Sequence, residues 1–104
     1  MGSSIKVRTS LRDDQATVRM IIRHPMHTGY EFDAEKEQLI PAHYIERLTV
    51  KHGETVLLDC DWSRAVSANP YLSFVFNGAK AGDMITIRWV DNLGESDEAV
   101  KELR

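Results

Sequence analysis

With 104 residues, 42% of them apolar and 28% charged, the chain has the composition of one folded domain rather than of a disordered segment. Acidic residues outnumber Lys and Arg 16 to 13, for a net charge of −3, and this balance argues against a nucleic-acid binder, because phosphate backbones recruit cations. No apolar run approaches the roughly 20 residues that a membrane-spanning helix needs, and a single cysteine excludes a disulfide-stapled fold.

Met1-Gly2-Ser3-Ser4 lacks the basic, apolar and cleavage regions of a signal peptide, which taken alone points to the cytoplasm. Ile5, Val7, Thr9 and Leu11 then alternate with Lys6, Arg8, Ser10 and Arg12, as in a strand with a basic outer face. Asp13-Asp14 supplies turn chemistry. In the next run Ala16, Val18, Met20 and Ile22 face one way, opposite Thr17, Arg19, Ile21 and Arg23, and His24-Pro25 ends it. The two runs predict a first hairpin or two strands flanking the same sheet edge.

Residues 25–43 lose this periodicity, and a connection so long in a small domain is a binding candidate. A short helical turn is allowed over residues 34–39 but is too brief to be stable by itself. Residues 45–51 predict a strand, His52-Gly53 a tight turn, and residues 55–62 a second arm in which Val56, Leu58, Cys60 and Trp62 share a face. Residues 63–68 cross over to Asn69-Pro70, a turn, and to a strand with Leu72, Phe74 and Phe76 on its inner side. These three need an opposing layer, for which Ile85, Ile87 and Trp89 of residues 84–91 are the candidates. After the turn Asp91-Asn92-Leu93-Gly94, the tail at 95–104 is ambiguous: Ala99 and Leu103 are four apart as on a helix, but a last strand completes the sheet better. About seven short strands at near-even spacing predict an all-β, immunoglobulin-like sandwich, a single domain over residues 5–104.

Few residues offer chemistry. His24, Met26 and His27 lie close enough in sequence to hold copper, but Pro25 keeps them off a helix and His43 and His52 fall in separate elements, so no metal is expected. Cys60 shares a predicted inner face and is flanked by Asp59 and Asp61, an environment that suppresses a thiolate. Asp13-Asp14 and Glu35 with Glu37 sit in turns or loops, no serine lies in a glycine-flanked nucleophile elbow, and no glycine motif cradles phosphate. These residues predict a binding or scaffold module with no cofactor rather than an enzyme.

Three blocks carry a resemblance. His24-Pro25-Met26-His27-Thr28-Gly29 with Asp33 and Ile40-Pro41, then Ser67-Ala68-Asn69-Pro70-Tyr71-Leu72-Ser73-Phe74, then Trp89-Val90-Asp91-Asn92-Leu93-Gly94 closely resemble the Z subunit of the sulfur-oxidising (Sox) carrier complex of thiosulfate oxidation. The resemblance implies an immunoglobulin-like, noncatalytic subunit in a heterodimer with a Y subunit. It also implies that the Y subunit's C-terminal cysteine carries the sulfur and visits other enzymes of the pathway. A periplasmic location follows by the same route, through co-export with a partner, and replaces the cytoplasmic reading. Met26, Thr28, Gly29, Asn69, Pro70 and Tyr71 become candidates for the partner interface, with Met26 as the adaptable apolar contact and Gly29 and Asn69-Pro70 as turn-formers. A bare heterodimer face would also let the isolated chain pair with itself. The competing expectation is a stand-alone sandwich that binds some other protein or ligand.

Overall fold

The computed structural model describes residues 4–63 and 65–104. Seven long strands carry the fold: β1 (Ile5–Arg12), β2 (Gln15–Ile22), β5 (Ile45–His52), β6 (Thr55–Asp61), β7 (Tyr71–Asn77), β8 (Met84–Asp91) and β9 (Ser96–Glu102). Two short ones, β3 (Phe32–Asp33) and β4 (Gln38–Leu39), pair only with each other. All pairings are antiparallel. One sheet has the order β1-β2-β7 and the other β6-β5-β8-β9, and they stack as a sandwich.

The alternation read from the sequence places the core. Ala16, Val18, Met20 and Ile22 of β2 are buried, as are Ile85, Ile87 and Trp89 of β8. Leu72, Phe74 and Phe76 of β7 pack on this core from the opposite sheet, partly buried. Residues 78–83 therefore connect strands in different layers, and the expected opposing layer is β8. At the β1–β2 turn Asp13 takes φ +57, the left-handed conformation that such a tight turn requires and that Asp tolerates.

The structure differs from the sequence reading in its turns and in strand register. The turn after β5 is Gly53-Glu54, since His52 pairs with Thr55, so the turn sits one residue later than expected. Residues 34–37 form a hairpin turn rather than a helical one: Asp33 Oδ1 accepts the Glu35 and Lys36 N–H groups at 3.0 and 3.3 Å, and Glu37 takes φ +53, which no helix contains. As expected for so short a stretch, a helix there forms too few bonds of its own, and side-chain capture of those donors wins.

Strand register differs at two β-bulges, one at Glu46 on β5 and the other on β6. Val50 pairs with Leu58 but Lys51 pairs with Val56, leaving Leu57 as the extra residue. The bulge turns Val56 outward, 52% exposed, and Leu57 joins Leu58, Cys60 and Trp62 against the core. Val56→Asp is therefore expected to change stability by no more than about 0.5 kcal/mol, whereas Leu57→Asp should cost about 2 kcal/mol or more in urea unfolding. Equal effects would remove the bulge from the account.

Candidate functional site

At one end of the sandwich the inward phase of two strands continues past the apolar residues into polar ones. Period two carries Val18, Met20 and Ile22 on to His24, and Ile85, Ile87 and Trp89 on to Asp91; both polar residues are buried, 3% and 2% exposed. They meet there. His24 Nε2 lies 3.1 Å from Asp91 Oδ2, and His43 Nε2 reaches the same oxygen at 2.7 Å.

Each partner is held by backbone bonds. Arg23 N–H donates to the Ser4 carbonyl at 2.7 Å and the His24 N–H to Asn69 Oδ1 at 3.2 Å, while Asn69 N–H returns a bond to the His24 carbonyl at 2.9 Å. An isolated bridge between His27 and His43, with bonds of 2.7 and 3.0 Å, lays residues 25–31 beside 42–44 and so delivers the His43 ring. Asp91 Oδ1 accepts the Leu93 and Glu95 N–H groups at 3.0 and 2.8 Å, closing the turn after β8. Asn92 fastens the same turn to the neighbouring loop, accepting the Tyr44 N–H at 2.8 Å and donating to the Ala42 carbonyl at 2.9 Å. The His24 ring stands edge-on to His43 and Trp89, with centroids 4.5 and 5.1 Å away.

Two imidazoles and a carboxylate within 4.8 Å of one another are also a set of metal ligands. The surroundings decide against that use. A ligating histidine donates its second ring N–H to an acceptor, but His24 Nδ1 faces a donor, the Met26 N–H at 3.2 Å. That nitrogen therefore carries no proton, and Nε2 is the N–H that Asp91 accepts, with no lone pair left for an ion. Burial by itself would push the Asp91 carboxyl up; the bonds from His24, the Glu95 N–H, His43 and the Leu93 N–H outweigh it and hold the group below the usual carboxylate range. The cluster is a hydrogen-bonded clasp joining the ends of β2 and β8 to the long loop.

The copper grouping considered from the sequence does not assemble. His27 Nδ1 turns to Glu31 Oε2 at 3.1 Å, away from His24, and His52 is bonded to Asp83 at 2.6 Å. The sequence reading gives Asp91 only a place in a turn and sets His43 apart from the other histidines. The signal for Asp91 is nevertheless present: a charged residue occupying the inward phase of an apolar strand.

The interface candidates divide. Met26 is not the exposed loop residue expected of a partner contact: it is 3% exposed, belongs to the core, takes φ +50, and its Sδ accepts the Ile45 N–H at 3.3 Å. Pro70 is buried as well. Gly29 shapes the loop, since at φ +91 an added Cβ would lie 3.1 Å from Ala42 Cβ. Asn69 also shapes it, at φ +50, a left-handed value that the following proline disfavours but Asn tolerates. Thr28 Oγ1 accepts the Tyr30 N–H at 3.1 Å. Tyr71 is 64% exposed on the outer face of the β1-β2-β7 sheet. The hairpin β3–β4 adds apolar surface, with Phe32 paired across to Leu39 and both exposed beside Tyr30.

The sequence matches the family described as sulphur oxidation protein SoxZ over residues 5–102. The chain belongs to the SoxZ family. No curated protein matches it. Among solved structures it is similar to a single-residue variant of the superoxide reductase (neelaredoxin) from Ignicoccus hospitalis, with a TM-score of 0.66 and 18% identity over 98% of this chain and 79% of that one. Another structure of the Ignicoccus hospitalis superoxide reductase gives a TM-score of 0.62 and 19% identity over 97% of this chain and 79% of that one. At such identities the likeness is one of fold. Membership of the SoxZ family makes this chain a sulfur-oxidation protein built as an all-β sandwich.

Proposed function

We propose that this SoxZ-family chain is the noncatalytic half of a sulfur carrier. It pairs with a Y subunit whose C-terminal cysteine bears the sulfur, and it is exported with that partner to the periplasm. The observation that carries the reading is the placement of Cys60. It is the one cysteine of the sequence, and it lies on β6 opposite the fully buried Leu48 of β5, half-buried with its side chain packed against the core. A carrier thiol must reach into the sites of several enzymes, and a half-buried sulfur fixed on a strand with its side chain turned to the core is poorly placed to do so. A display arm on another chain meets that need, and this chain supplies a folded platform with exposed apolar residues at its hairpin and on its outer sheet face.

Co-expression with a candidate Y subunit is expected to yield a one-to-one complex on size exclusion. Thiosulfate-derived sulfur should appear on the partner by intact mass and be unchanged by Cys60→Ser. Covalent sulfur on the isolated chain, lost in Cys60→Ser, would overturn the proposal.

A further inference from the structure

Charge is segregated on this molecule. The outward side chains of β1, β2 and β7 include Lys6, Arg8, Arg12 and Arg19, with Arg23 just beyond β2, and not one Asp or Glu. All five cations are exposed, and among the described residues none has an ion-pair partner. Elsewhere the remaining eight Lys and Arg are outnumbered two to one by the sixteen Asp and Glu. The register sharpens the point. Arg8 lies directly opposite Arg19, a like-charge cross-strand pair that costs stability and has no counter-charge beside it. On one side of that row Lys6, Ile21 and Tyr71 are aligned across the three strands, and on its other side Ser10, Thr17 and Val75 are. Ile21, Tyr71 and Val75 are 42%, 64% and 54% exposed.

We propose that this outer face docks an acidic protein surface that also carries exposed apolar side chains. Arginines flanked by a tyrosine and exposed aliphatic side chains have the composition of the energetic centre of a protein interface, and the guanidiniums offer planar forks for carboxylates. A nucleic acid fits less well. Three strands span only about 10 Å between the outer chain axes, and carboxylates close both ends of the strip: Asp13 and Asp14 at the β1–β2 turn, and Asp97, whose Oδ2 accepts the Ser4 N–H at 2.8 Å. A phosphate chain running past the strip would meet them, whereas a protein surface ends where its acidic patch ends. This inference needs no pairing with a Y subunit and concerns the chain by itself.

The test uses the intact chain and a fluorescent peptide of alternating glutamate and leucine, read by anisotropy, beside a labelled single-stranded oligonucleotide and phosphatidylglycerol vesicles. The double variant Arg8→Glu/Arg19→Glu is expected to weaken peptide binding at least about tenfold, and added salt should weaken it in the parent chain. Lys51→Glu/Arg88→Glu makes the same change in net charge on the other sheet and should alter it less than about twofold. Arg8→Thr should raise the thermal midpoint while weakening the peptide, two opposite movements that a purely structural arginine would not produce. Absence of peptide binding, equal losses in the two double variants, or tighter binding of the oligonucleotide or the vesicles at the same ionic strength would overturn the proposal.

Discussion

Asp91→Ala is expected to destabilise the fold by about 3–5 kcal/mol, a large part of what a domain of this size has. The carboxylate accepts four bonds, from His24, His43 and the Leu93 and Glu95 N–H groups, and its side chain is fully enclosed. Removing it strands several donors at once, in a place where water does not replace the acceptor. Asp91→Asn should lose less, since one oxygen can still accept, but its amide hydrogens would face histidine N–H donors. Urea unfolding measures both.

The pH dependence has a definite sign. The folded state holds the Asp91 carboxyl below its usual range, so this group's contribution is complete above the unfolded value, near about pH 4, and is lost as pH falls through the folded value. The stability gap between the parent chain and Asp91→Asn should therefore be flat above about pH 5 and narrow in acid. A gap that widened on acidification would show that the clasp is held by some other charge.

Met26→Ala is expected to cost about 2–5 kcal/mol, because it empties a core position and deprives the buried Ile45 N–H of its acceptor. Met26→Leu keeps the volume but not the sulfur, and should cost less than about 1.5 kcal/mol. An unchanged urea midpoint in the alanine variant would return Met26 to the surface role that its loop position suggested. The residue illustrates a general hazard. A loop without periodicity gives no sign of which side chains turn inward, and here the bridge between His27 and His43 folds residues 25–31 back over the end of the core.

The strands were readable because alternation is a local property. Whichever partner a strand finds, its apolar side has to be covered, so the inward faces of β1, β2, β7 and β8 follow from the residues alone, as did the turns at Asp13-Asp14 and Asp91-Asn92-Leu93-Gly94. The order of the sequence blocks likewise points to the family. The faces of β5 and β6 were legible only in part, because the extra residues at Glu46 and Leu57 shift the phase by one. No local rule says where such a residue falls.

The long-range features lay beyond the sequence. His24 and His43 reach Asp91 across 67 and 48 positions of chain, and the opposition of Arg8 to Arg19 exists only in the β1–β2 register. The sequence by itself determined a β-sandwich with a basic outer strand and an inward-facing thiol. Tertiary structure alone decided that two histidines share one carboxylate, that Met26 is core, and that five cations form a single face. The physical reason is that burial pattern is encoded residue by residue, whereas a hydrogen-bonded cluster or a charged surface is a property of elements brought together from distant parts of the chain.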